Sequence, residues 1–168
     1  VLGYLLLLLF GHNGWIGQYL NALGLELAFN WKGAVLASMI VAFPLMVQPI
    51  RLSFQLINRQ LEQVAGSLGA SPFRVFCSIS LPLALPGILI GSILCFSRSL
   101  GEFGATITFV GNIPEETRTI PIAIYSLLQQ PDGEEFALRL VVLSLFLAFS
   151  ALIANYFILQ KYQRKLGA

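Results

Sequence analysis

Hydrophobic residues run through this chain in long blocks, and the charged positions gather in short stretches between them. Eighteen uncharged residues separate Lys32 from Arg51, 23 separate Arg74 from Arg98, and 21 run from Leu140 to Gln160. A helix needs about 20 mostly apolar residues to cross a bilayer. The pattern therefore predicts spans over residues 32–51, 83–105 and 140–160. Residues 1–10 are equally apolar but too few to cross, and Gly11-His12-Asn13-Gly14 breaks them. The run opens at Val1 with neither a basic region nor a clear cleavage site, so 1–10 is expected to be the end of a truncated span. Residues 11–31 read as an external connection, with Trp15, Tyr19 and Trp31 near the interface.

Residues 61–82 depart from this regime. Leu61, Val64, Ala65 and Leu68 fall at i, i+3, i+4 and i+7, one face of a helix. Gly69 is placed to stop that helix, and Ser71-Pro72 to restart another as N-cap and first-turn proline. Phe73, Phe76 and Cys77 share a face of the second piece, and Pro82 and Pro86 punctuate the entry into the next span. The pattern predicts two short helices across a glycine corner, too polar to lie in lipid. Pro44 and Pro49 predict a disturbed helix late in the 32–51 span, tolerable where neighbours satisfy the freed carbonyls. Gly87-x-x-x-Gly91 is a small-residue pattern for close helix packing. The apolar piece 119–130, inside a mixed stretch at 106–138, is too short to span.

Composition explains why lipid must be part of the solvent. Of 168 residues, 57% are apolar and 11% charged, with mean hydropathy +0.79; soluble domains carry about 25% charged residues. The chain reads as an all-α, polytopic membrane protein. A net charge of +2 is too small to suggest nucleic acid. The placement of charge is more informative. Arg51, Arg59 and Arg74 face a single acid, Glu62, in the central loop, and the tail carries Lys161, Arg164 and Lys165. The 106–138 stretch holds five acids and only Arg118 as a base. By the excess of basic residues on the cytoplasmic side, the central loop and the C-terminus are expected inside, and 11–31 and 106–138 outside.

Candidate chemistry is sparse. Cys77 and Cys95 form no CxxC pattern and read as ordinary thiols, and His12 reads as a solvated turn residue. There is no metal-ligand cluster, no nucleophile with a base and no phosphate-cradling loop, so no catalytic residue is assigned. Arg98 and Glu102 stand at i, i+4 where each charge would cost about 3 kcal/mol at mid-bilayer, and they can pair on one helix face. They read first as a structural pair near the outer end of a span, and second as part of a gate.

Gly69, then nine residues, then Ile79-x-Leu81-Pro82 resembles the cytoplasmic signature loop of the membrane subunits of bacterial binding-protein-dependent ABC importers. That signature opens Glu-Ala-Ala, where this chain has Gln63-Val64-Ala65, and Glu62 lies one residue early. The resemblance implies a polytopic helical bundle of the ABC importer permease type, with a coupling-helix loop at 52–82 seated in a cytoplasmic ATPase. Leu61, Val64, Leu68 and Phe73 would be buried anchors there, with Arg59, Gln63 and Arg74 at the rim and Glu62, Ala65, Ala70, Ile79, Leu81 and Pro82 completing the loop. It further implies an ABC ATPase dimer that uses ATP and Mg, a periplasmic or extracellular binding protein, a second permease subunit in a homodimer, and no cofactor on this chain.

Residues 98–125, RSLGEFGATITFVGNIPEETRTIPIAIY, and the opening VLGYLLLLLFGHNGWIG are similar to molybdate importer permeases. Sulfate/thiosulfate permeases share a related pattern. The resemblance implies a tetrahedral oxyanion, most simply molybdate or tungstate, as cargo. Such an ion needs donors, which makes Thr106, Thr108, Asn112 and Thr119 path candidates beside Arg98 and Glu102. The acids at 115–116 and 132–135 are expected on the outer rim, meeting the binding protein or only solvent. Two other classes fit the sequence less well. A gradient-driven transporter predicts internal repeats or several ionisable residues within spans, but no repeat is evident and Glu102 is the one titratable acid. A membrane-embedded enzyme lacks its catalytic cluster.

Overall fold

The structure, a computed structural model, describes residues 1–166, and the side chains of residues 1–162. The tail expected at 161–168 therefore lies partly outside the described residues. Among the described residues there are nine α-helices and one π-helical turn, and no strand. The helices are α1 (Leu2–Phe10), α2 (Gly17–Ala22), α3 (Trp31–Gln55), α4 (Arg59–Ser67), α5 (Pro72–Val75), α6 (Leu81–Leu100), α7 (Gly104–Val110), α8 (Ile120–Leu128) and α9 (Glu134–Leu166). The π-turn Phe76–Ser80 joins α5 to α6.

Among the described residues three helices are long and apolar enough to cross a membrane: Trp31–Gln55, Pro72–Leu100 and Glu134–Tyr162. Each differs from the span read off the charge pattern. The first continues past Arg51, with Pro44 and Pro49 inside it. The second begins at the cap of the glycine corner, so Pro82 and Pro86 are internal, and it ends at Leu100 rather than Ala105. Gly101-Glu102-Phe103 then separates it from α7.

Contacts divide the chain into two units. The first comprises Val1–Ala42 and Phe96–Ser150. Its core is Leu6, Ala34, Ala37, Ala105, Phe109 and Val110, with Phe109 and Val110 fully buried. Gly3 permits α1 to approach α7 closely, since a Cβ there would lie 2.8 Å from the Ala105 carbonyl oxygen.

The second unit comprises Phe43–Cys95 and the segment from Ala151. Gly87 and Gly91 pack α6 onto α3. A Cβ on Gly87 would collide with the Ser53 side chain and lie 2.6 Å from the Pro49 oxygen; one on Gly91 would lie 2.6 Å from the Met46 oxygen. The small-residue pattern thus serves a contact inside the chain. The π-turn has a local cause. Pro82 has no N–H, so the helix cannot close its usual bond there. The preceding turn widens instead, with the Leu81 N–H reaching back to the Phe76 carbonyl.

Candidate functional site

The glycine corner of the second unit is built by three local devices. Asn58 caps α4, its Oδ1 accepting from the Gln60 N–H at 2.9 Å. Gly69, at φ +86°, ends α4 in the left-handed region. The Ala70 N–H then bonds the Ala65 carbonyl at 3.1 Å and the Gly69 N–H bonds the Gly66 carbonyl at 3.0 Å, the paired closure of a Schellman motif. Ser71 caps the next helix, its Oγ accepting from the Arg74 N–H at 3.4 Å, with Pro72 in the first turn.

This corner presents an open apolar face. Leu68 is 83% exposed and Phe73 78%, and Leu61, Val64 and Phe76 are also exposed. Gln63, Arg59 and Arg74 are exposed beside them, while Ala65, Ala70, Ile79, Leu81 and Pro82 are half-buried. Large apolar groups on a helix otherwise polar in composition mark a contact surface. Glu62 behaves differently from Gln63. Its carboxylate turns inward and accepts from the Ser80 hydroxyl at 2.6 Å, and Ser80 is buried. Two clefts adjoin Glu62, one lined by Arg51, Phe54, Gln55, Ile57 and Arg59, the other by Gly66, Ala70, Pro72, Val75 and Phe76.

In the first unit, Glu102 sits in the break after α6 and is buried. One carboxylate oxygen, Oε1, accepts from the Ala105 N–H at 2.8 Å and so caps α7. The other, Oε2, lies 2.6 Å from Arg98 Nη1, an ion pair by proximity whose angle does not make a hydrogen bond. Thr106 is fully buried, and its hydroxyl donates to the carbonyls of Phe103 at 2.9 Å and Glu102 at 3.2 Å. Thr108 donates to the Gly104 carbonyl at 2.7 Å. Asn112 donates to Ser126 Oγ and accepts from Arg118 Nε, each at 2.8 Å. Thr119 Oγ1 is buried and makes no hydrogen bond. These six residues therefore share one unit but differ in how much hydrogen-bonding capacity they have left.

Three residues that organise these regions carry no signal in the sequence. Ser80 donates its hydroxyl to the Glu62 carboxylate. Thr117, buried, ties the loop after α7 by accepting from the Ile113 N–H at 2.9 Å. Tyr162 donates its hydroxyl to the Pro82 carbonyl at 3.0 Å. Ser80 and Tyr162 act through contacts that no helical or turn spacing links, whereas Thr117 closes a local turn with Ile113 four residues away. Cys77 and Cys95 are free thiols, and His12 Nδ1 lies 3.2 Å from Asn21 Nδ2 on the exposed rim of the first unit. Among the described residues, no three His, Cys, Asp or Glu side chains gather as metal ligands.

Three long apolar helices, mostly exposed along their lengths, with a capped amphipathic corner between the first two, define a polytopic helical membrane protein. Residues 1–165 match the family of binding-protein-dependent transport system inner membrane components, and the chain belongs to that family. It is 54% identical to the molybdenum transport system permease protein ModB of Haemophilus influenzae, over 99% of this chain and 73% of that protein. Against the protein of the same name from Escherichia coli the identity is 51%, with the same coverage. A probable sulfate transport system permease protein of Nephroselmis olivacea is 38% identical over 79% of this chain and 46% of its own length.

Proposed function

We propose that the chain is the membrane-spanning permease subunit of an ATP-driven importer whose cargo is a tetrahedral oxyanion, molybdate or tungstate. The observation that carries this reading is the 54% and 51% identity, across 99% of the chain, to permeases named for molybdenum transport. The sulfate reading rests on 38% identity over 79% of the chain and stands second. On this account the chain binds no cofactor and catalyses no reaction; a cytoplasmic ATPase dimer uses ATP and Mg, and a periplasmic binding protein delivers the ion.

The exposed face of Leu61, Val64, Leu68 and Phe73 is the surface the ATPase grips. The excess of Arg and Lys in the central loop and tail supports a cytoplasmic C-terminus. Two copies would enclose the path. Thr106 and Thr108 have committed their hydroxyl protons to nearby backbone carbonyls, so Thr119, whose hydroxyl oxygen is buried and without a partner, leads the path candidates. Arg98 and Glu102 serve as the brace of the α6–α7 break.

The test is uptake of radiolabelled molybdate into proteoliposomes holding the transporter assembled with this chain, its ATPase and its binding protein. Uptake should require ATP and be blocked by excess tungstate but not by excess sulfate. Equal block by sulfate, with sulfate itself carried, would move the assignment to the sulfate relative. Uptake driven by an ion gradient without ATP would end the importer reading.

A further inference from the structure

The base of α6 concentrates features that weaken a helix. Within eleven residues it holds the π-turn Phe76–Ser80, Pro82 and Pro86. Each weakens the helical hydrogen-bond ladder: the π-turn by widening it, the prolines by removing donors. A push delivered to α4 would bend such a segment rather than move α6 as a rod. Two side chains from outside the segment hold it at the weak points.

Glu62 accepts from Ser80 at 2.6 Å, which ties the first turn of α4 to the last residue of the π-turn. The bond is charge-assisted and its hydroxyl is buried, so water competes for it poorly. Tyr162 donates to the Pro82 carbonyl at 3.0 Å. That carbonyl is the one whose regular partner, four residues on, is Pro86, which has no N–H to give. The phenol therefore fills a vacancy the proline creates. Two turns earlier along α9, Asn155 Nδ2 donates to the Leu89 carbonyl at 2.7 Å, so α9 grips α6 on both sides of Pro86.

We propose that Glu62 and Tyr162 are positioning residues that clamp α4 and the C-terminal end of α9 onto the weakened base of α6, so that all three move as one body when the loop is driven. This rests on the reading of the corner as the ATPase-gripped loop. Glu62 turns inward to Ser80 while Leu61 and Val64 of α4, with Leu68 at its C-cap and Phe73 on α5, stay exposed, so holding the helix and gripping it are distinct jobs.

The experiment measures three quantities on the assembled transporter in proteoliposomes: ATPase co-purification, ATP hydrolysed, and molybdate taken up. Tyr162→Phe should leave co-purification and hydrolysis near the unaltered values; Glu62→Ala, which lies in the gripped loop itself, is read by the ratio of uptake to ATP alone. Uptake per ATP should fall about threefold to tenfold, the scale of one lost hydrogen bond. Glu62→Gln, which keeps an acceptor oxygen for Ser80, should restore most of the ratio; a residue of only structural importance would change yield without changing this ratio. An unchanged ratio in both Tyr162→Phe and Glu62→Ala overturns the clamp while leaving the importer reading intact. Absence of ATPase from the unaltered assembly overturns the importer reading and the clamp with it. If Tyr162→Phe does not assemble, the Glu62 pair decides by the same ratio.

Discussion

Arg98 Nη1 and Glu102 Oε2 lie 2.6 Å apart across the point where α6 ends, and the same carboxylate caps α7 through the Ala105 N–H at 2.8 Å. One side chain thus closes one helix and opens the next. Glu102→Ala should destabilise the protein by about 1–2 kcal/mol through the lost cap, and Glu102→Gln by less, since its amide oxygen can still accept. Thermal unfolding in detergent measures both; equal loss in the two variants would mean the cap contributes little beside the charge.

Close packing of α6 on α3 gives a second expectation. Gly91→Leu places a side chain against the Met46 carbonyl, where even a Cβ would lie 2.6 Å away. Overpacking of this kind costs about 1–3 kcal/mol. Gly66→Ala, where a Cβ meets nothing within 4 Å, should be neutral or mildly stabilising. The same melting assay separates the two; similar behaviour would contradict the contact.

Gly69 requires its left-handed backbone but has open space around it. Gly69→Ala should therefore cost only about 1 kcal/mol and retain uptake. Gly69→Pro cannot adopt φ +86° and should abolish both uptake and ATPase capture. Normal uptake by the proline variant would show that the corner is dispensable.

Thr119 offers a prediction with opposite signs in two assays. Removing a buried hydroxyl that makes no hydrogen bond relieves its desolvation cost, so Thr119→Val should melt at the same or a higher temperature. If Thr119 lines the ion path, its molybdate uptake should nevertheless fall. A variant that is stable and fully active removes Thr119 from the path.

The corner at Gly69 and Ser71-Pro72 was legible because turn and cap chemistry is local: the residue that needs φ > 0 and the residue that caps are in the sequence itself. Gly87 and Gly91 were legible as a packing pattern, but their partners were not, since Met46, Pro49 and Ser53 lie some 40 residues away. The end of α6 at Leu100 was missed because Gly101-Glu102-Phe103 offers one charge and no proline, and that charge is absorbed by Arg98 and the α7 cap. Thr106 and Thr108 read as available donors because composition records a hydroxyl and not its rotamer; both turn back onto backbone carbonyls three or four residues earlier. Ser80 and Tyr162 are tied across 18 and 80 residues of sequence, separations over which periodicity carries no information.

The most direct measurement of the central claim is capture of the cognate ATPase by the Leu68→Asp variant in native membranes. Leu68 is 83% exposed at the C-cap of α4, so an aspartate there should not disturb the fold, and insertion into the membrane should be unchanged. The account predicts that the variant inserts normally, no longer co-purifies with the ATPase, and imports no molybdate. A variant that inserts, retains the ATPase and imports at the unaltered rate would contradict it.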